Sequence, residues 1–134
     1  MKTYENPGRC FRFEYPAAWT LNDKDGQVSL WLSQDGGAVT ISSARHGDAQ
    51  QRSSAIDHCR RFVTRPGNLL TTIAGDERTA SGSFTDAGGT KWDVRVLVQG
   101  RFGVLATYNH LSEPSAEEHQ EASQILDSIA IVNT

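Results

Sequence analysis

Between Trp92 and Tyr108 every second residue is apolar, twice over, on either side of Gln99-Gly100. Trp92, Val94, Val96 and Val98 form one stripe, and Phe102, Val104, Ala106 and Tyr108 form the other. A period of two belongs to a strand. Two strands joined by so short a connection can pair only antiparallel. This hairpin restricts the chain to folds built on an antiparallel sheet. The same alternation recurs upstream: Phe11, Phe13 and Tyr15, then Val28, Leu30 and Leu32, then Val39 and Ile41. Pro16 ends the first run, and Asn22-Asp23-Lys24-Asp25-Gly26 and Asp35-Gly36-Gly37 are turn sequences. Strands over 10–15, 28–33 and 39–44 therefore read as one antiparallel meander, with Trp19 a plug at the end of the core. Weaker strands are expected over 68–74 and 77–84.

The period changes twice. From Asp48 to Arg65 the apolar residues are Ala55, Ile56, Cys59, Phe62 and Val63, one helical stripe. Asp48 and Gln51 have capping-box spacing, and Pro66-Gly67 stops the helix. Near the end, Ser115 and Glu118 repeat the spacing before Ala122, Ile125, Leu126 and Ile129, and a short edge strand follows at 129–132. Strands linked by hairpins, with two amphipathic helices to cover them, predict an α+β domain over residues 1–134. Its antiparallel sheet would have about six to seven strands flanked by two helices, an α/β/α sandwich.

Phe11-Arg12-Phe13-Glu14-Tyr15-Pro16 followed by Trp19 resembles the opening of the PsbP/Mog-like superfamily. Ile125-Leu126-Asp127-Ser128-Ile129 is similar to that family's last helix and its exit, and the long hairpin fits it too. The resemblance in element order covers nearly the whole chain and points to the bacterial, uncharacterised or effector-chaperone-like branch. It implies an antiparallel sheet sandwiched by helices. It also implies action mainly by binding: relatives include extrinsic photosystem II subunits, a Ran-GTPase-binding protein and chaperones of secreted effectors. The superfamily has no shared catalytic constellation, so no site residue carries over.

The residues themselves argue against several activities. Net charge is −3, from 16 acidic and 13 basic residues, and no basic patch interleaves with aromatics, so nucleic acid is not the expected partner. No apolar run approaches the ~20 residues of a membrane span. Met1–Gly8 is polar and does not read as a signal peptide, so a cytoplasmic location is expected; a mature exported form would read alike. Cys59 sits on the apolar stripe of the first helix as a small buried hydrophobe. A Cys10–Cys59 bridge would need matching geometry and an oxidising compartment. His46, His58, His110 and His119 have no metal-ligand spacing, although His110 and His119 are placed to lie near one another. Glu117, Glu118 and Glu121 complement the dipole of the second helix. Ser81-Gly82-Ser83 is ordinary edge-strand sequence. No catalytic, cofactor or metal residues are assigned.

Two features point to binding. Trp31 alternates with Ser29 and Ser33, opposite Leu30 and Leu32. It either packs under the second helix or stands as an aromatic anchor on a polar sheet face shared with Arg12, Glu14, Asp93 and Arg95. Arg52, Arg60, Arg61 and Arg65, with His58, line the polar side of the first helix, which suits an acidic partner. The expectation is a non-catalytic protein-binding domain acting as an adaptor, chaperone or immunity-type partner. The alternative is a small-ligand binder with a pocket between sheet and helix.

Overall fold

The computed structural model describes residues 1–6, 8, 10–47 and 53–132. Among them, ten strands and two helices follow in chain order: β1 (Lys2–Asn6), β2 (Phe11–Tyr15), β3 (Thr20–Lys24), β4 (Gln27–Trp31), β5 (Ala38–Arg45), α1 (Ala55–Val63), β6 (Leu69–Gly75), β7 (Thr79–Thr85), β8 (Lys91–Gln99), β9 (Phe102–His110), α2 (Ala116–Ser128) and β10 (Ala130–Ile131). Seven strands form one antiparallel sheet in the order β3-β4-β5-β9-β8-β7-β6. The fold is α+β, as the hairpin pattern requires. The expected single meander is corrected: β2 leaves the main sheet and pairs with β1 and β10 in a separate three-stranded sheet.

Two strands are additions to the sequence reading. β3 occupies the run taken as turn, and the turn itself is only Asp25-Gly26. Both residues have positive φ, 56° and 82°, as a tight hairpin requires. β1 occupies the polar opening segment. Helix α1 is shorter than its periodicity suggests. Its cap is Ser54, whose Oγ accepts from the Asp57 N–H at 3.3 Å. The expected Asp48 cap and Gln51 lie outside the described residues.

Among the described residues, each face of the main sheet is covered over part of its width. Cross-strand partners share a face, so register places Val39, Ile41, Val104, Ala106 and Tyr108 on one side. There they pack with Val28 and Leu30 against α2 and the small sheet, which contributes Phe11 and Phe13. Trp19 is buried in this cluster, donating its indole N–H to Glu121 at 2.9 Å. The opposite side carries Ala80, Gly82, Phe84, Val94 and Val96, where α1 inserts Ala55, Cys59 and Val63. Gly82 is the closest approach: a Cβ there would stand 2.8 Å from Val63 Cγ2 and 3.1 Å from Cys59 Sγ. Cys10 and Cys59 are not bridged. Cys59 is fully buried, and burial pushes its thiol pKa up.

Glu118 departs most from its sequence reading. It is 4% exposed, and its carboxylate accepts from the Tyr108 hydroxyl at 2.5 Å and from the Gly37 N–H at 3.3 Å. It is a buried clamp between α2 and the β4–β5 turn rather than a surface complement to the helix dipole. Its backbone N–H is still capped by Ser115 Oγ, at 3.0 Å. The clamp explains Gly36, where a Cβ would stand 2.1 Å from Glu118 Oε1. His110 and His119 both pack on the Tyr108 ring, with centroids 5.3 and 6.3 Å away.

Candidate functional site

The α1 side of the main sheet is covered by the helix over β6, β7 and β8. Beyond the helix, among the described residues, β3, β4, β5 and β9 present a partly exposed ledge. Register fills it with Thr20, Asn22 and Lys24 from β3, Gln27, Ser29 and Trp31 from β4, Thr40 and Ser42 from β5, and Leu105, Thr107 and Asn109 from β9. Apart from Lys24 and Leu105, these are hydroxyls and amides around one indole. None is acidic, in a chain with more acidic than basic residues.

Trp31 is half-buried on this ledge. Helix α2 lies on the other face, so Trp31 does not pack beneath it. The companions expected for it are corrected. Asp93 pairs with Tyr108, and Arg95 with Ala106, on the α2 face. Arg12 and Glu14 belong to the small sheet. Alternation along one strand separates its two faces, but does not say which face of another strand lies alongside.

The arginines of α1 divide. One turn of helix places residues three or four apart on one flank. His58 and Arg61 therefore share the flank nearer the ledge, Arg65 follows just past the Thr64 cap that ends the helix, and Arg60 lies on the far side, paired with Asp57 at 3.1 Å. That pair is exposed and contributes little. Arg61 donates from Nη2 to Ser53 Oγ at 2.5 Å, and among the described residues no carboxylate lies within ion-pair distance of it. The Arg65 guanidinium sits 4.6 Å over the Phe62 ring. Arg52 lies outside the described residues.

Where the flank meets the ledge there is a groove of about 310 Å³. Val96, Val98 and Leu105 supply its apolar surface; His46, His58, Arg61, Ser42 and Ser53 supply its polar rim. No acidic residue lines it among those described. Burial lowers the His58 pKa, and the positive charges of Arg61, Arg65 and His46 lower it further. A pocket between sheet and helix was the alternative expectation, but its lining was not legible, because residues from four separate segments make it. A larger recess of about 640 Å³ beside the β8–β9 turn has Arg78 as its one charged lining residue. Among the described residues no group of three or more His, Cys, Asp or Glu is arranged to hold a metal ion, and no helix is long and apolar enough to cross a membrane.

No protein-family model and no curated protein matches the chain. Solved structures do. The solution structure of cyanobacterial PsbP (CyanoP) from Synechocystis sp. PCC 6803 superposes with a TM-score of 0.67 at 10% identity, covering 97% of this chain and 91% of that one. The chain has the PsbP-like fold. A crystal structure from Bacteroides thetaiotaomicron VPI-5482 is similar, with a TM-score of 0.64 at 15% identity. It covers 98% of this chain, which spans 48% of the Bacteroides protein. At these identities the likeness is one of fold, and the PsbP-like scaffold says nothing about which of its surfaces works.

Proposed function

We propose that the chain is a non-catalytic protein-binding domain that receives an acidic segment of a partner on the ledge around Trp31. One observation carries the reading: a half-face with no acidic residue among those described, bordered by Arg61, Arg65 and His58, in a chain of net charge −3. An acidic chain laid there meets Arg61 and Arg65 along one border, Lys24 on the ledge itself, and no carboxylate among the described ledge residues. Hydroxyls and amides offer hydrogen bonds across it, and the indole supplies a rigid apolar anchor. Complementary charge of this kind sets partner choice and speeds encounter.

The test is capture from lysate with wild type and three variants, then affinity measurement with the purified partner. Trp31→Ala should weaken binding by about 2 kcal/mol, some thirtyfold in Kd, as aromatic anchors do. Arg61→Glu with Arg65→Glu should do at least as much, with a steep loss in salt. Arg60→Glu, on the opposite flank and already paired, should bind as wild type. The captured protein should carry an acidic segment, and neutralising that segment should abolish binding. Equal binding by all three variants would overturn the reading.

A further inference from the structure

We propose that the groove between α1 and the sheet is a binding site for a small amphiphilic carboxylate, a single carboxylate on a short hydrocarbon body. The site adjoins the ledge around Trp31, sharing Ser42, Leu105, His58 and Arg61 with it but not Trp31. Its size, about 310 Å³, lies at the lower end of small-ligand pockets. Its surface divides as such a molecule does. The Val96, Val98 and Leu105 side chains come from β8 and β9 on the α1 face, and give the hydrocarbon a floor. Arg61 and His58 descend from the helix on one side, and His46 stands at the end of β5.

The electrostatics favour an anion specifically. Arg61 spends one N–H on Ser53, which fixes the guanidinium and leaves other donors of its fork for a carboxylate. No acidic lining residue competes for them among those described. His58 is held toward its neutral form by burial and by Arg61, Arg65 and His46. A bound carboxylate offsets that repulsion, so binding must raise the His58 pKa, and binding must equally tighten as pH falls toward the ordinary imidazole range. An apolar floor selects against inorganic phosphate, which has no hydrocarbon to bury.

Gly103 gives a clean way to close the site. It lines the groove, its φ is not in the left-handed region, and a Cβ there would meet nothing nearer than Val98 Cγ1 at 3.8 Å. Gly103→Leu therefore fills the groove without strain and without removing a charge.

The experiment is an amide and imidazole NMR titration of the full chain with sodium octanoate, and with octanamide, acetate and phosphate as controls. Octanoate should saturate, with shifts centred on Ser42, His58, Val96 and Leu105, and the His58 titration should move upward on saturation. Octanamide should bind about tenfold or more weakly, the loss of one charged hydrogen-bonded contact. Acetate and phosphate should not saturate. Arg61→Gln should weaken octanoate by a similar factor, Gly103→Leu should abolish its binding with an unchanged melting temperature, and Trp31→Ala should bind it as wild type. The proposal fails if octanoate does not saturate, if octanamide binds as tightly, or if folded Gly103→Leu still binds. None of these outcomes bears on partner capture at Trp31, so the two readings fail separately.

Discussion

Glu118→Ala is expected to destabilise the protein by about 3–5 kcal/mol, a large part of the ~5–15 kcal/mol that holds a domain together. The substitution strips partners from two buried donors at once, the Tyr108 hydroxyl and the Gly37 N–H. Each donor left unpaired costs about 1–3 kcal/mol, and the vacated volume adds a cavity cost. Tyr108→Phe removes only one contact and leaves the carboxylate buried on the Gly37 amide, so about 2–3 kcal/mol is expected. The two effects should not add. In Tyr108→Phe/Glu118→Ala both polar groups of the pair are gone, and the double variant should be more stable than the sum of the singles predicts. Urea unfolding of all four proteins measures the cycle. A Glu118→Ala loss below about 1 kcal/mol would mean that the carboxylate is not the clamp described.

Gly82→Leu should dislodge α1. Glycine in a strand interior is ordinarily a weakness unless another element approaches closely. Here the Cβ would stand 2.7 Å from the Thr72 carbonyl oxygen and 2.8 Å from Val63 Cγ2, so either the edge strand or the helix must move. Overpacking of this kind costs about 1–3 kcal/mol and sometimes more. The sharper readout is chemical. Cys59 is fully buried and its thiol pKa is raised, so in a Cys10→Ser background it should be almost inert to a thiol reagent. With Gly82→Leu its labelling rate should rise by an order of magnitude or more, tracking the opening of the helix. Slow labelling with an unchanged melting temperature would show that the helix tolerates the leucine.

Much of the architecture was legible in the alternation itself. β8, β9 and α2 lie within a residue or two of where their periodicities put them, because each has a full apolar stripe. β3 was not legible, since it is an edge strand whose Asn22, Asp23 and Lys24 are turn-forming residues and whose Leu21 is only half-buried. The division into two sheets was hidden for a different reason. Phe11 and Phe13 alternate in the same way whichever sheet β2 joins. Trp31 was legible as a residue facing away from Leu30, but its surroundings depend on the order β4-β5-β9, which local pattern does not encode. Glu118 shows the limit most plainly. Capping-box spacing describes its backbone and says nothing of Tyr108, ten residues earlier, or of Gly37 in a distant turn. The only trace was the pair Gly36-Gly37, smaller than a hairpin needs.

The two apolar clusters have no buried residue in common: one lies under α2 at one end of the sheet, the other under α1 at the other end. The sheet is their party wall. Substitutions in one cluster that touch no side chain of the other should sum with those in the other, since distant sites without shared partners act independently. The groove and the cationic flank both belong to the α1 side. A new helix could thus be grafted onto Gly82 and Val94 to alter what the surface accepts, while the Tyr108–Glu118 side keeps the chain folded.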